Sequence, residues 1–229
     1  MYKYDMHCHT SAVSKCGRSS PEEMVLAYHT AGFSGIVFTD HFIHGNTVID
    51  KNLPWEERMK SYFTPYESAK RLGEDLGISV FIGIEHAYGN GKELLVYGDL
   101  TAEAFISVPE VATMNVTDFI RFCHKNGWFV AHAHPFRERE YINSDVPPVT
   151  EDIDGIEVYN YCNKPDENIK AMELCEELGL IPISGSDTHH VNLCGLAGVA
   201  FDEKITSSND LVKALFKRKG RLIIDGEIV

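Results

Sequence analysis

Short runs of β-branched and aromatic residues alternate along this chain with stretches that carry helix start and stop signals. Tyr2–Cys8 opens with apolar and polar residues in alternation, the period of an extended strand. On a strand, successive side chains take opposite faces, so His7 and His9 share one face and Cys8 takes the other. Pro21–Ala31 reads as a helix, with Ser20 at the N-cap, Pro21 at the first position, Glu22 and Glu23 in the first turn and Gly32 at the stop. Gly35–Phe38 is the next strand. Thr64 caps a helix over Pro65–Leu76 that stops at Gly77, and strands Ile78–Ile84 and Leu94–Tyr97 come next. The alternation continues through helix Thr117–Asn126, strands Trp128–Ala131 and Gly155–Tyr159, helix Pro165–Leu178, strands Leu180–Ile183 and Gly198–Phe201, helix Asn209–Lys219 and strand Arg221–Ile224. The segment His44–Phe63 is the least regular. It reads as an excursion over the surface, where His44, Trp55 and Tyr62 are candidates to face a substrate.

Strand–helix alternation with apolar strands predicts an α/β fold built on a parallel sheet covered by helices. A closed or nearly closed barrel of about seven strands suits this pattern better than an open sheet. No linker, repeat or low-complexity stretch divides the 229 residues, so 1–229 read as a single domain. A content of 44% hydrophobic and 24% charged residues is ordinary for a globular protein. No segment has the pattern of a secretory signal, and no apolar run approaches the ~18 residues of a membrane span. The six cysteines (Cys8, Cys16, Cys123, Cys162, Cys175 and Cys194) are irregularly spaced and form no CxxC pair. That spacing argues against a disulfide framework or zinc ribbon and for a reducing compartment. The expectation is a cytoplasmic protein without membrane contact. A formal charge of −13 disfavours long nucleic acid as a partner. It leaves room for a small phosphorylated substrate, because bound metal ions invert the local field.

The polar residues that interrupt this pattern fall at the C-terminal ends of strands. His7 and His9 end the first and Asp40–His41 the second. Glu85–His86 ends the third, His132 and His134 end Trp128–Ala131, and Asp187, His189 and His190 follow Ile183–Ser186. In a parallel barrel such ends gather on one rim, where active sites are built. Taken singly, a histidine at a strand end is readily a hydrogen-bonded loop residue, and Ser186–His189 could be a turn or helix cap. Glu85 is harder to explain so, because a carboxylate after an apolar run needs a cation or several donors. Five such endings in one pattern argue against unrelated structural histidines.

The motifs resemble those of the PHP (polymerase and histidinol phosphatase) superfamily. His7–Thr10 matches its HxH motif, Thr39–His41 the second, Ala133–Pro135 the third and Ser186–His189 the fourth, while Gly83–Glu85 is similar to its bridging-glutamate strand. The resemblance implies a distorted (β/α)7 TIM-like barrel whose C-terminal rim holds two or three divalent transition-metal ions, zinc, manganese or iron. By position it implies that His7, His9, Glu85 and Asp187 hold one metal, that Glu85 bridges to a second with His134, and that His41 and His189 hold a third. Imidazole and carboxylate together suit such ions. The chain departs from the family pattern twice. Where relatives carry an Asp or His before a glycine, this chain has Cys16, a soft thiolate candidate or an ordinary loop cysteine. Where relatives carry a His in the strand after the bridging Glu, it has Leu95. His132, Glu93 or water then remain to complete the second metal, and on an extended strand His132 faces the same way as His134.

Such a centre implies hydrolysis of a phosphate ester. Hydroxide held between the ions, at Glu85, Asp187 and His189, would be the nucleophile, and the ions would hold the phosphate oxygens. Arg137, three residues after His134, is a candidate phosphate clamp or a surface arginine of the charged run Arg137–Glu140. Asn160 lies on the same expected rim, as a supporting or a turn residue, and His124 reads as structural or exposed. The leading expectation is a phosphatase-like hydrolase acting on a small phosphomonoester. A nuclease-like phosphodiesterase and a non-catalytic metal-binding accessory barrel are the alternatives. The sequence leaves substrate identity and oligomeric state open.

Overall fold

A computed structural model describes residues 1–229. The elements follow in the order β1 (Tyr2–Cys8), α1 (Pro21–Thr30), β2 (Gly35–Phe38), α2 (Trp55–Phe63), α3 (Glu67–Leu76), β3 (Ser79–Ile82), β4 (Ile84–Gly89), β5 (Lys92–Tyr97), α4 (Ala102–Ile106), α5 (Val116–Lys125), β6 (Phe129–His132), β7 (Gly155–Asn160), α6 (Pro165–Leu178), β8 (Ile181–Gly185), β9 (Gly198–Phe201), α7 (Ser208–Phe216), β10 (Arg221–Ile224) and β11 (Glu227–Ile228). Helix starts follow local chemistry. The Ser20 hydroxyl accepts from the Glu23 N–H, and the Glu23 carboxylate accepts from the Ser20 N–H, a reciprocal box that satisfies two end donors of α1. Gly77 and Gly179 end α3 and α6 in the left-handed region, at φ 73° and 65°.

The strands form two sheets in a mixed α/β arrangement, ordered β11-β10-β9-β1-β2-β3 and β4-β5-β6-β7-β8. β1, β2 and β3 run parallel, as do β6, β7 and β8. The sheets are not purely parallel as expected. β9 joins β1 antiparallel, β10 and β11 extend that edge antiparallel, and β4, β5 and β6 pair antiparallel. Asn90 and Gly91, at φ 56° and 73°, make the tight turn between β4 and β5. That Asn-Gly pair is a hairpin signal in the sequence itself. The expected strand Ile78–Ile84 is broken at Gly83, where the chain passes from one sheet to the other. A Cβ there would lie 2.7 Å from the Val96 carbonyl oxygen and 3.0 Å from Thr39 Cγ2. At the seams, isolated parallel bridges join Cys8 to Thr188 and His41 to Glu85.

Two apolar clusters result. One draws Tyr4, Met6, Val37, Phe81, Leu95, Phe129 and Ile183 from both sheets and is closed by Leu211 and Leu215 of α7. The other lies where the opposite strand faces meet the remaining helices, and it includes Cys8, Ile36, Tyr28, Phe105 and Phe119. The register of β1 on β2 slips between Asp5 and Cys8. Tyr4 and Met6 therefore fill the first cluster, while past the slip Cys8 turns to the second and His7 and His9 turn the other way.

The segment His44–Phe63 is not a surface excursion. Its second half is α2, which buries Met59, Tyr62 and Phe63. The Tyr62 hydroxyl donates to the Asp40 carbonyl. Because the chain is already helical there, Thr64 has no free N-terminus to cap and makes no capping bond; a 3-10 turn over Thr64–Tyr66 leads into α3. No helix is long and apolar enough to cross a membrane.

Gly83→Ala should therefore lower stability by about 1–3 kcal/mol, the usual cost of an added methyl in a filled space. Urea unfolding checks it, and an unchanged midpoint would mean that the Gly83 crossing is slack.

Candidate metal centre

The residues marked by the sequence meet at one place. His7 and His9 leave the slip in β1 on the same side, with their Nε2 atoms 3.2 Å apart. The Glu85 carboxylate faces them from the start of β4: Oε1 lies 3.3 Å from His7 Nε2 and Oε2 3.5 Å from His9 Nε2. His41 Nδ1 lies 2.7 Å from Glu85 Oε2, and His134 Nε2 3.0 Å from Glu85 Oε1. Asp187 Oδ1 lies 3.0 Å from His9 Nε2 and 3.5 Å from His7 Nε2. The His189 ring stacks 4.5 Å from that of His9.

Sets of donor atoms lying mutually within 4.8 Å are formed by His7, His9 and Glu85; by His7, His134 and Asp187; by His41, Glu85 and Glu93; and by His9, Cys16, His41 and His189. His7, His9, His41, Glu85, His134, Asp187 and His189, all expected ligands, are thus brought together. Cys16 and Glu93, two of the three open candidates, join them. Leu95 stands opposite Glu85 in register, and Glu93, two residues along β5, projects from the same face. Its carboxylate oxygens lie 3.2 Å from His41 Nδ1 and 3.6 Å from His134 Nε2.

His132 does not join them. Its Nε2 meets the Tyr88 hydroxyl at 2.7 Å, and its Nδ1 faces the Ala133 carbonyl. The equal-face argument fails because β6 ends at His132 and His134 lies in the left-handed region at φ 28°. Asp187 is held likewise at φ 52°. For residues other than glycine such backbone is strained, and strain of this kind clusters at functional sites.

The donor set fits divalent metal. Glu85 Oε2 and His41 Nδ1 are buried without an aligned hydrogen bond, although they lie 2.7 Å apart. Two imidazole nitrogens pointed at one spot beside two carboxylates likewise call for a shared cation. Glu157, which the sequence reading missed, orients the cluster from beneath. Its Oε1 lies 2.8 Å from His7 Nδ1, and its Oε2 accepts from the His134 N–H and from Asn160 Nδ2. That contact places the His7 proton on Nδ1 and leaves Nε2 free to coordinate. The clue was an acid amid the apolar strand Gly155–Tyr159. Asp5 acts in the same way on the backbone. It accepts from the His7 and Ser186 N–H groups and from the Tyr28 hydroxyl. Burial pushes its carboxyl up to about 6, against those donors.

The electrostatics follow from crowding. Burial would raise the Glu85 carboxyl, but His41 and His7 hold it well below the usual range. Burial and then the Glu85 charge push Glu93 up. His9 falls to about 4, through burial and the nearby His41 and His189. For Cys16 burial acts upward, yet hydrogen bonds to His189 and His41 bring the thiol down to about 6.

A cavity of about 700 Å³ opens over this cluster, lined among others by Cys16, His44, Glu93, Arg137, Asp187 and His189. Arg137 is nearly buried. Nη2 lies 2.6 Å from Asp187 Oδ2 and donates to Asn160 Oδ1, and Nε donates to Asn163 Oδ1. Arg137 is therefore no surface residue, and Asn160 supports both it and Glu157. Trp55 and Tyr62, expected near a substrate, do not line the cavity; His44, Gly45 and Asn46 do. His124 meets Asp154 at 3.0 Å, partly exposed and outside every donor set.

An α/β fold that gathers imidazoles and carboxylates at strand ends in this way defines a metal-centre protein. The sequence matches the PHP domain family over residues 5–223, and the chain belongs to that family. No curated protein matches it in sequence. Among solved structures, it is similar to a two-domain protein from Bacteroides vulgatus containing a predicted PHP-like metal-dependent phosphoesterase (19% identity, TM-score 0.70, 99% of this chain and 66% of that one). It is also similar to a protein from Bifidobacterium adolescentis assigned as a metal-dependent phosphoesterase (15%, 0.59, 94% and 96%). A third is a lesion-specific endonuclease from Pyrococcus furiosus (11%, 0.62, 94% and 56%). At identities this low the likeness bears on the fold alone.

Glu157→Gln should weaken zinc binding about 10–100-fold with the fold intact, as losses of orienting partners do; equilibrium dialysis with circular dichroism checks it. Stripping metal by chelation should lower the melting temperature. Zinc returned at about 100 times its Kd should restore about 2.7 kcal/mol, and a temperature unmoved by either step would speak against a metal centre.

Proposed function

We propose that the chain is a metal-dependent phosphoesterase whose substrate is a small phosphomonoester. The observation that carries this reading is Arg137, a guanidinium fixed at the edge of the metal-ligand cluster and lining its cavity. With Nε and Nη2 engaged by Asn163, Asn160 and Asp187, the Nη1 donors remain for a phosphate oxygen. In this reading His7, His9, His41, Glu85, His134, Asp187 and His189 hold two or three divalent ions, zinc, manganese or iron. Such ions supply Lewis acidity, which activates water and offsets charge on the phosphate. Glu85, Asp187 and His189 face the point of attack. Glu157 fixes the His7 tautomer, and Arg137 orients the substrate.

The same reading treats residues 1–229 as one domain and the two sheets as halves of a distorted (β/α)7 barrel. The Cys8–Thr188 and His41–Glu85 bridges and the apolar cluster shared by both sheets support it. Six unpaired cysteines fit a reducing, cytoplasmic setting. A phosphodiesterase reading draws on the likeness to the Pyrococcus endonuclease. The net charge of −13 favours the monoester.

A panel of phosphomonoesters and diesters, assayed with added zinc or manganese and again with chelator, tests the proposal. Chelator-sensitive monoester hydrolysis is expected; preferential diester cleavage would shift the assignment, and no hydrolysis at all would end it. Glu85→Ala should lose metal and turnover together while remaining folded. Arg137→Ala should raise KM about tenfold or more, the loss of a charge-assisted hydrogen bond, with Arg137→Lys recovering part of it.

A further inference from the structure

The residues that complete the centre, Cys16 and Glu93, enter different donor sets that share only His41. We propose that these sets take different metals: a zinc-class ion where Cys16 joins His9, His41 and His189, and a harder, manganese-class ion where Glu93 joins Glu85, with His134, 3.0 Å from Glu85 and 3.6 Å from Glu93, standing in for the shared His41. This rests on reading the cluster as a metal centre and adds Cys16 and Glu93 to its ligands.

Cys16 is held in place, unlike a loose loop cysteine. On its N-terminal side the Ser14 hydroxyl accepts from the His41 N–H and lies 3.2 Å from His9 Nδ1, and the Lys15 N–H donates to the Asn46 carbonyl. On its C-terminal side the Arg18 N–H donates to the His189 carbonyl. Between them Gly17 folds back onto Thr10, where a Cβ would lie 2.2 Å from the carbonyl carbon. The loop is thus tied to His9, His41 and His189, the three imidazoles whose donor atoms lie within 4.8 Å of the Cys16 sulfur. Cys8, Cys162 and Cys175 each donate to a backbone carbonyl, as structural thiols do. Cys16 has no such acceptor; nor do Cys123 and Cys194, but of these three thiols only that of Cys16 lies in a donor set.

The other set is built differently. Glu85 Oε2 is buried without an aligned partner, and the Glu93 oxygens stand against His41 and His134. Three imidazoles and a thiolate make a tetrahedral, soft-leaning site of the kind zinc occupies. Two carboxylates with one or two imidazoles make a harder site that suits manganese. Zinc outranks manganese at either position when both are abundant, so the partition shows when zinc is limiting.

The test uses the full chain, stripped by chelation and reloaded. One equivalent of cobalt(II) should give the near-ultraviolet thiolate-to-cobalt band in the unaltered protein and in Cys162→Ser, but not in Cys16→Ser. With one equivalent of zinc and excess manganese, elemental analysis should find both metals bound. Cys16→Ser should lose zinc affinity by at least about tenfold, no less than removal of an orienting partner costs, while keeping manganese. Glu93→Gln should do the reverse. Mapped alkylation of the unaltered protein, in which one equivalent of zinc should slow modification of Cys16, covers the case of a variant that does not fold. No thiolate band, an unchanged zinc content in Cys16→Ser, or equal alkylation with and without zinc would each overturn the inference. A protein that hydrolyses phosphomonoesters yet shows no thiolate band would sink this inference alone. One that binds cobalt through Cys16 but cleaves no phosphoester would uphold it and sink the phosphoesterase reading.

Discussion

A buried carboxylate must be met by positive charge or by donors, and the burial of Glu85 at the seam between the two sheets sets that demand for the whole upper face of the molecule. Four imidazoles answer it within 3.5 Å, from β1, from the end of β2 and from the loop after β6. Each in turn needs its second nitrogen or its backbone fixed. Glu157 fixes His7 and His134, Ser14 fixes His9 and His41, and Asp5 fixes the chain at His7 and Ser186. Other buried acids stand nearby for the same reason. Asp40 binds no candidate metal set but accepts from the Thr10 N–H and from the Thr10 and Tyr66 hydroxyls, which pins the turn after the HxH pair. What looks like an excess of polar residues in a core is one continuous network with the Glu85 carboxylate at its centre.

The sequence made much of this network legible because its members sit at strand ends, where a polar residue interrupts an apolar run. His7, His9, His41, Glu85, His134, Asp187 and His189 announce themselves in that way. Glu157 carried the same signal more weakly, since it lies inside its strand and contacts ligands without being an expected one. The contrast between His132 and His134 was beyond reach. Their order on the chain implies one face, and only the left-handed backbone at His134 separates them. Leu95 and Glu93 show the reverse case: the family position is apolar, and the next residue on the same face takes over. The fold divides along similar lines. Capping residues and glycine stops gave α1, α3, α5, α6 and α7 to within three residues, while the short α4 went unseen. The antiparallel strands were hidden because strand–helix alternation implies parallel pairing and the Asn90–Gly91 turn was passed over. The helix α2 was hidden because Pro54 precedes it without a capping side chain.

The centre also joins parts of the molecule that the backbone joins only lightly. His7, His9 and His41 belong to or extend from the six-stranded sheet, whereas Glu85, Glu93, His134 and Asp187 come from the five-stranded one. Along the two seams the strands meet through isolated bridges rather than full ladders. An ion shared by these side chains is a cross-link between sheets, and much of its binding free energy is then folding free energy.

The position of β1 has a consequence for the order of events in the cell. Its neighbours are β2, which follows within 30 residues or so on the chain, and β9, which pairs Tyr2 with Phe201. The Asp187 N–H donates to the His7 carbonyl, and the His9 N–H to that of Thr188. During synthesis the second edge of β1 therefore stays uncovered until β9, far along the chain, has been made. Contacts of such long separation form late. The HxH pair is therefore made well before most of its partners, and the centre can be assembled only once the chain as far as His189 has been synthesised.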